Sequence, residues 1–557
     1  MRLLIKKYFR DLKKEFAGYG ASKFTKDLMA GITVAAVALP LALAFGVSSG
    51  ADAAAGLVTA IVAGIVIGGL GGASYQISGP TGAMAAILMS LSVTYGIGGV
   101  LTAGLLSGVL LLLIAALRAG KLVSYIPGPV ITGFTSGIAI IIALGQIDNF
   151  FGTTSVGTSA IAKLISYGRL GFTPHWPTVL FGAAVVVLML IYPKKWQSKF
   201  PSSLAALIVT LVANLLMNSD PIVAEVGSIP RSLMTDSALL KTGIDLANVS
   251  AYIAPAISIA ALGRVDSLLC GASAGKMKGE KLDSQRELVA QGIGNIVIPL
   301  LGGVPATAAI ARTSVAVKSG GETRLVSVIH SITLILSMFL LGPVMSRIPL
   351  SALAGVLMVT AWRMNEWEAI REIFKGKFRT ETAQFLITML ATVVFDLTTA
   401  IIIGVVFSML MFILKSCSLN VSISSVDRKK TEEHGIVGSY KYTKIVYLSG
   451  PMFFGTQDRL TEALGEIEEN TLDVIFSMRG VPSIDSSAMA ELSEIYDDFQ
   501  TKGIRVLFSG VDARVMQEFE RSGFADKVGK ENILWDAVAA MRVIERDVFI
   551  PAQENNE

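Results

Sequence analysis

The sequence predicts a polytopic α-helical membrane protein, built from two halves of opposite orientation and ending in a smaller cytoplasmic α/β domain. Three observations carry this. Hydrophobic residues fill 52% of the 557 positions and charged ones only 16%, with a mean hydropathy of +0.62. A soluble chain could not bury that much apolar surface. Charges are almost absent from long stretches before Lys415 and dense after Asp427, so the chain divides near residue 416. A Gly/Pro-interrupted apolar motif occurs twice, once in each half of the apolar part.

Residues 1–26 form the first element. Leu4, Tyr8, Leu12 and Phe16 recur at helical spacing among Lys6, Lys7, Arg10, Lys13 and Lys14, with no apolar h-region or cleavage site. This reads as a cytoplasmic amphipathic helix on the inner membrane surface. Residues 27–416 follow, with about fourteen apolar passages, several shorter than the ~20 residues of a full span. Basic clusters sit where even-numbered passages return: Arg118 with Lys121, Lys194 with Lys195, Lys276 with Lys278, and Arg371 through Arg379. The opposite loops, 146–174 and 218–248, are richer in Gly, Ser and Thr. Both termini are therefore expected inside. The net charge of +4 comes from these short clusters, a topology signature that excludes a nucleic-acid face. Cys270 and Cys417 cannot build a disulfide framework, and three scattered histidines offer no zinc spacing. No metal site and no cofactor beyond a coupling ion is expected.

The internal echo pairs Ser78-Gly79-Pro80-Thr81-Gly82-Ala83-Met84 with Gly302-Gly303-Val304-Pro305-Ala306-Thr307-Ala308-Ala309-Ile310. Each is a break followed by a short apolar helix. Roughly 225 residues and an odd number of passages separate them, the pattern of an inverted repeat. Irregular backbone at membrane depth survives where protein buries it or where it lines a wet cavity, so the breaks point to a substrate site. Unpaired N–H groups at the two helix starts carry positive dipole ends, which suits an anion. Close helix packing is the plainer use of Gly and Pro, and a single motif would favour it. Ionisable groups inside apolar runs are costly, which singles out Arg264, Asp266 and Arg312. Asp266 suits proton or sodium coupling, and Arg312 would add positive potential to an anion pocket; a fixed pair between Asp266 and either arginine is the structural alternative. Asp396 reads as an interfacial structural charge.

Several segments resemble the sulfate permease (SulP) family of anion transporters. They are Ala38-Leu39-Pro40-Leu41-Ala42-Leu43-Ala44-Phe45, Ser78-Gly79-Pro80-Thr81, Val265-Asp266-Ser267-Leu268-Leu269, Ile310-Ala311-Arg312-Thr313 and Ser319-Gly320-Gly321-Glu322-Thr323-Arg324-Leu325. The resemblance implies fourteen transmembrane segments as seven plus seven inverted helices, a substrate-carrying core moving against a scaffold, and a homodimer. It puts the anion near Pro40, Phe45, Gly79, Thr81 and the stretch Thr307, Ala308, Ala309, Ile310, Ala311 and Arg312, with Asp266 and Cys270 at the coupling-ion position. Leu41 stands where many relatives have Gln, which implies a site of backbone and dipole. The run 39–50 with Thr81 resembles the branch of sodium-dependent bicarbonate carriers. Cys270 and Ile310 depart from it, standing where that branch offers Thr oxygens, and hard cations need oxygen ligands. Protonation of Asp266 would serve symport equally well.

After a linker at 417–436, residues 437–550 alternate strand and helix: strand 444–448, helix 458–468, strand 472–477, helix 486–499, strand 505–509, then helices from Ala513 and Trp535. Residues 551–557 read as a disordered tail. The domain resembles the STAS domain (sulfate transporter and anti-sigma-factor antagonist). Its Val481-Pro482-Ser483-Ile484-Asp485-Ser486-Ser487 loop implies Ser486 as a phosphorylation site, with Ala488 replacing a usual Gly. Helix capping by Asp485 or Ser486 is the structural alternative. No phosphate loop, nucleophile–base pair or metal cluster suggests an enzyme. The expected function is secondary active transport of a small inorganic anion, sulfate or bicarbonate, across the inner or plasma membrane by ion-coupled alternating access. C4-dicarboxylate transport and a passive channel or exchanger are the alternatives.

Overall fold

Polar caps, prolines and glycines between the apolar runs decide where each helix begins and ends. In the computed structural model the first helix, α1 (Arg2–Glu15), precedes α2 (Ala21–Ser48) and α3 (Ala53–Leu70). Asp52 caps α3 by accepting from Ala55 N at 2.6 Å. A two-residue strand, β1 (Ser78–Gly79), leads into α4 (Gly82–Ala116), which is broken at Gly96. The φ of 69° at Gly96 is a left-handed conformation that a side chain would strain, so one apolar run becomes two segments. Then come α5 (Gly128–Gly145), α6 (Trp176–Ile191) and α7 (Ser202–Met217). The second half runs α8 (Val249–Lys278), α9 (Ser284–Leu300), β2 (Thr307–Ala308), α10 (Ile310–Lys318), α11 (Leu325–Met345), α12 (Leu350–Met364), α13 (Arg379–Val394) and α14 (Leu397–Ser416). With α4 counted as two, α2 to α7 give seven segments and α8 to α14 give seven more. Each short strand stands just before the third segment of its half.

The structure describes residues 2–117, 127–157, 160–193, 196, 200–217, 223–227, 229, 232–244, 248–376, 378–395, 397–416, 419–426, 440–465, 467–468 and 470–549. Arg118, Lys121, Lys194, Lys195, Asp396, Cys417, the linker beyond 426 and the tail at 551–557 lie outside them. Six stretches, Ala21–Ser48, Ala53–Leu70, Gly82–Ala116, Gly128–Phe151, Val249–Lys278 and Leu325–Met345, are long and apolar enough to cross a membrane. The loop expected at 146–174 is partly helical, at Ile147–Phe151 and Ala160–Leu170.

The chain divides into two units, Met1–Val406 and Phe407–Glu557. In the second, a five-stranded sheet runs in the order β3 (Asn420–Ser425), β4 (Thr443–Ser449), β5 (Asp473–Gly480), β6 (Arg505–Ser509), β7 (Ile533–Leu534). The β3–β4 pair is antiparallel and the rest are parallel. Strand alternation splits the core between two faces. Val446, Val474, Phe476 and Phe508 pack with Leu492, Phe499 and Phe519 on one face. Ile445, Ile475 and Leu507 pack with Ala540, Met541 and Ile544 on the other. The expected strands and helices are present, with four differences, one of them the added two-residue strand β7. The stretch expected as linker contains β3, whose short Ser/Ile/Val alternation lies between polar residues. The helix expected at 458–468 ends at Leu464, before Gly465. A short helix, Phe524–Val528, completes the apolar face.

Candidate functional site

The two breaks of the sequence meet in space. Strands β1 and β2 pair antiparallel, with Ser78 opposite Ala308 and Gly79 opposite Thr307. The crossing continues through Ala309 N, which donates to Ile77 O at 2.9 Å. Immediately beyond it, α4 starts behind Thr81, whose Oγ1 accepts from Met84 N at 3.4 Å. On the other strand α10 starts behind Ala309, which has no side chain to cap it. Two half-helices thus begin at one crossing, with their first N–H groups at its ends, an arrangement that favours a negative charge.

A polar lattice holds the crossing. Asn295 of α9 imitates a strand: its Oδ1 accepts from Ala306 N at 2.8 Å and its Nδ2 donates to Ala306 O at 2.9 Å. Gln291, one turn earlier, donates to Ser78 Oγ at 3.1 Å and to Glu287 Oε1 at 2.9 Å. From α8, Ser267 Oγ accepts from Ala308 N at 3.3 Å, and Ser267 O accepts from Gln76 Nε2 at 2.8 Å. Thr59 Oγ1 of α3 donates to Val304 O at 3.0 Å. Each of these groups is buried, so each pairing avoids an unsatisfied polar atom in an apolar interior.

The expected site residues do not all fall in one place. Gly79, Thr81, Thr307, Ala308 and Ala309 form the crossing itself. Ile310 and Ala311 follow on α10 with exposed side chains. Phe45 is packed where α4 begins, 3.2 Å from the position a Cβ would take at Gly82, while Pro40 lies buried inside α2. Arg312 is 1% exposed and turns behind the strands, where Nη2 donates to Pro80 O and Nη1 has no partner among the described residues. One end of its guanidinium thus braces the chain just beyond β1. Cys270 Sγ donates to Thr313 Oγ1 at 3.4 Å, and Thr313 Oγ1 accepts from Ile77 N at 3.0 Å. Asp266 precedes Ser267, and among the described residues it forms no ion pair with Arg264 or Arg312. Asp485 caps its helix in the second unit by accepting from Ala488 N at 2.8 Å, and the adjacent Ser486 is exposed. The sequence reading missed Glu287, Gln291 and Asn295. Their signal was a polar stripe at four-residue spacing on one face of α9.

Two inverted seven-segment halves, crossing through paired strands at two half-helix starts and followed by a separate α/β unit, define a membrane transporter. Residues 24–391 match the sulfate permease family and residues 430–540 match the STAS domain. YvdB of Bacillus subtilis, named as a candidate sulfate transporter, is 33% identical over 93% of this chain and 97% of its own length. The bicarbonate transporter BicA of Picosynechococcus is 26% identical over 93% of this chain and 94% of that one. The solved transmembrane domain of a cyanobacterial BicA is 28% identical, with a TM-score of 0.62, over 68% of this chain and 97% of that structure. SLC26A9 shares the fold, with a TM-score of 0.80 at 16% identity, over 96% of this chain and 92% of that one. The chain belongs to the sulfate permease family. Members of that family are transporters, and the relatives named above are transporters rather than enzymes.

Proposed function

We propose that this protein carries a small oxyanion, sulfate or bicarbonate, across the cell membrane by alternating access, with the anion held between the starts of α4 and α10. The observation that carries this is the pair of half-helix N-termini at one strand crossing, one of them capped only by Ala309. Backbone N–H groups and helix dipoles bind an oxyanion without a cationic side chain in contact. The names of the relatives support the two anions.

Proton coupling through Asp266 is the reading favoured here. A carboxylate inside a membrane helix with no ion-pair partner among the described residues is available to take a proton. Its neighbour Cys270 offers a thiol hydrogen-bonded to Thr313, a poor ligand for sodium. Both termini face the cytoplasm in this account, the protein acts as a homodimer, and the exposed Ser486 is the place where phosphorylation would act on the second unit. The test is radiolabel uptake into proteoliposomes, with sulfate, bicarbonate and fumarate in parallel under imposed proton or sodium gradients. Accumulation of sulfate or bicarbonate driven by the proton gradient is expected. Equilibration without accumulation would make the protein a channel or exchanger, and accumulation of fumarate alone would make it a dicarboxylate carrier.

A further inference from the structure

We propose that α1 is an acidic-lipid recognition element mounted rigidly on the helices that bear the candidate site. Its two faces differ in chemistry. On the docked face Tyr8 Oη donates to Gly69 O at 3.1 Å and Lys7 Nζ donates to Asp283 Oδ2 at 2.6 Å. Asp11 accepts from Arg286 Nη1 at 3.0 Å. Glu15 accepts from the backbone N of Arg324 at 2.7 Å and from its guanidinium at 2.9 and 2.8 Å. The Arg286 and Arg324 guanidiniums both lie over the Tyr8 ring, 5.7 and 5.5 Å from its centroid. Both arginines are buried, so these pairs are screened less than surface pairs.

The partners belong to the end of α3, the start of α9 and the residue before α11, so α1 bridges the neighbouring ends of three helices. Docking consumes both acids of the helix. The opposite face carries Lys6, Phe9, Arg10, Lys13 and Lys14, all exposed, with Phe9 at 61%. Arg10 approaches Asp11 at 3.9 Å, and among the described residues no other acid reaches these cations. A cationic face with an exposed aromatic ring, held at the ends of apolar helices, matches anionic headgroups over an acyl boundary. Nucleic acid or an acidic protein segment would satisfy the cations but leave Phe9 in water. Because the docked face grips α3, α9 and α11, lipid charge acts directly on the body that holds the crossing.

The test uses the full chain in nanodiscs. An environment-sensitive fluorophore is placed at Phe9→Cys, with the labelled unsubstituted chain as blank, and phosphatidylglycerol replaces phosphatidylcholine stepwise. Emission should shift to the blue as acidic lipid rises, and high salt should reverse the shift. Changing Lys6, Arg10, Lys13 and Lys14 to Gln should weaken the lipid midpoint roughly fivefold per cation removed. Changing Arg286 and Arg324 together to Ala, which removes the partners of Asp11 and Glu15 and both cations over Tyr8 while keeping the outward-facing cations, should abolish the dependence of uptake rate on acidic lipid. Identical emission in both lipids, or an unchanged response in the four-Gln variant, overturns lipid recognition. Unchanged lipid-dependent uptake in the Arg286→Ala, Arg324→Ala double variant overturns the rigid mounting.

Discussion

Arg312 is the site residue whose surroundings the structure defines most sharply. Its side chain folds back on Pro80 O, and a Cβ at Gly79 would lie 2.5 Å from its Nη1. Gly79 therefore makes the space that the guanidinium occupies. Arg312→Ala leaves a buried carbonyl unpaired, at a cost of about 1–3 kcal/mol. The expected outcome is a lower melting temperature of the purified protein in detergent, with uptake lost because β1 shifts. An unchanged melting temperature with a raised half-saturation for the anion would put the guanidinium back in the pocket. That a charge stood here was legible, since an arginine in an apolar run needs a reason. Its direction was not, because adjacent helix positions face different ways: Ile310 and Ala311 are exposed while Arg312 and Thr313 are buried. Asp266 is the complementary case. Asp266→Asn should reduce proton-driven accumulation to simple equilibration while leaving half-saturation for the anion within about twofold. Persistent accumulation would reduce Asp266 to a structural charge.

At the scale of elements, the crossing depends on α9 more than on its own residues. Asn295 satisfies both backbone groups of Ala306, so Asn295→Ala strands a buried donor and a buried acceptor. A loss of about 2–4 kcal/mol follows, read as a fall in thermal midpoint larger than that of an exposed control such as Lys318→Ala. Equal midpoints would mean that the strands hold themselves. The breaks before α4 and α10 were legible because Gly and Pro interrupt apolar runs. The lattice beneath them was not, because a polar stripe in one helix does not name its partner across 215 residues, as Glu287 Oε2 and Gly72 N show. In the α/β unit β3 was hidden by its shortness and by the polar sequence beyond it. Asp473, at the start of β5, offers a pH test of that unit. Burial raises its carboxyl above the ordinary aspartate range, against the opposing pull of Arg505 and Thr443. The folded state holds that proton more tightly than the unfolded chain, so this contribution is full at low pH and is lost as pH rises through the raised value. Asp473→Asn should remove that part of the unit's pH-dependent unfolding, followed by circular dichroism on residues 419–549. A profile identical to the parent's would show that the carboxyl is fully solvated.

For the whole molecule, the number of passages and the opposite sense of the halves were readable because hydropathy and loop charge are long-range signals that need no side-chain detail. Seven segments on each side of residue 249 place β1 and β2 at equivalent positions, and only the folded chain brings them into register. The central claim is that an anion occupies the space between the two half-helix starts. Substituted-cysteine protection in proteoliposomes tests it most directly. Ala311→Cys, exposed one residue into α10, is compared with Lys318→Cys, exposed at the far end of the same helix, during reaction with a water-soluble thiol reagent. The transported anion should slow modification at position 311, with a half-protecting concentration matching half-saturation of uptake, and leave position 318 unaffected. Equal protection at both positions, or none at 311 in protein that takes up the anion, would contradict the account.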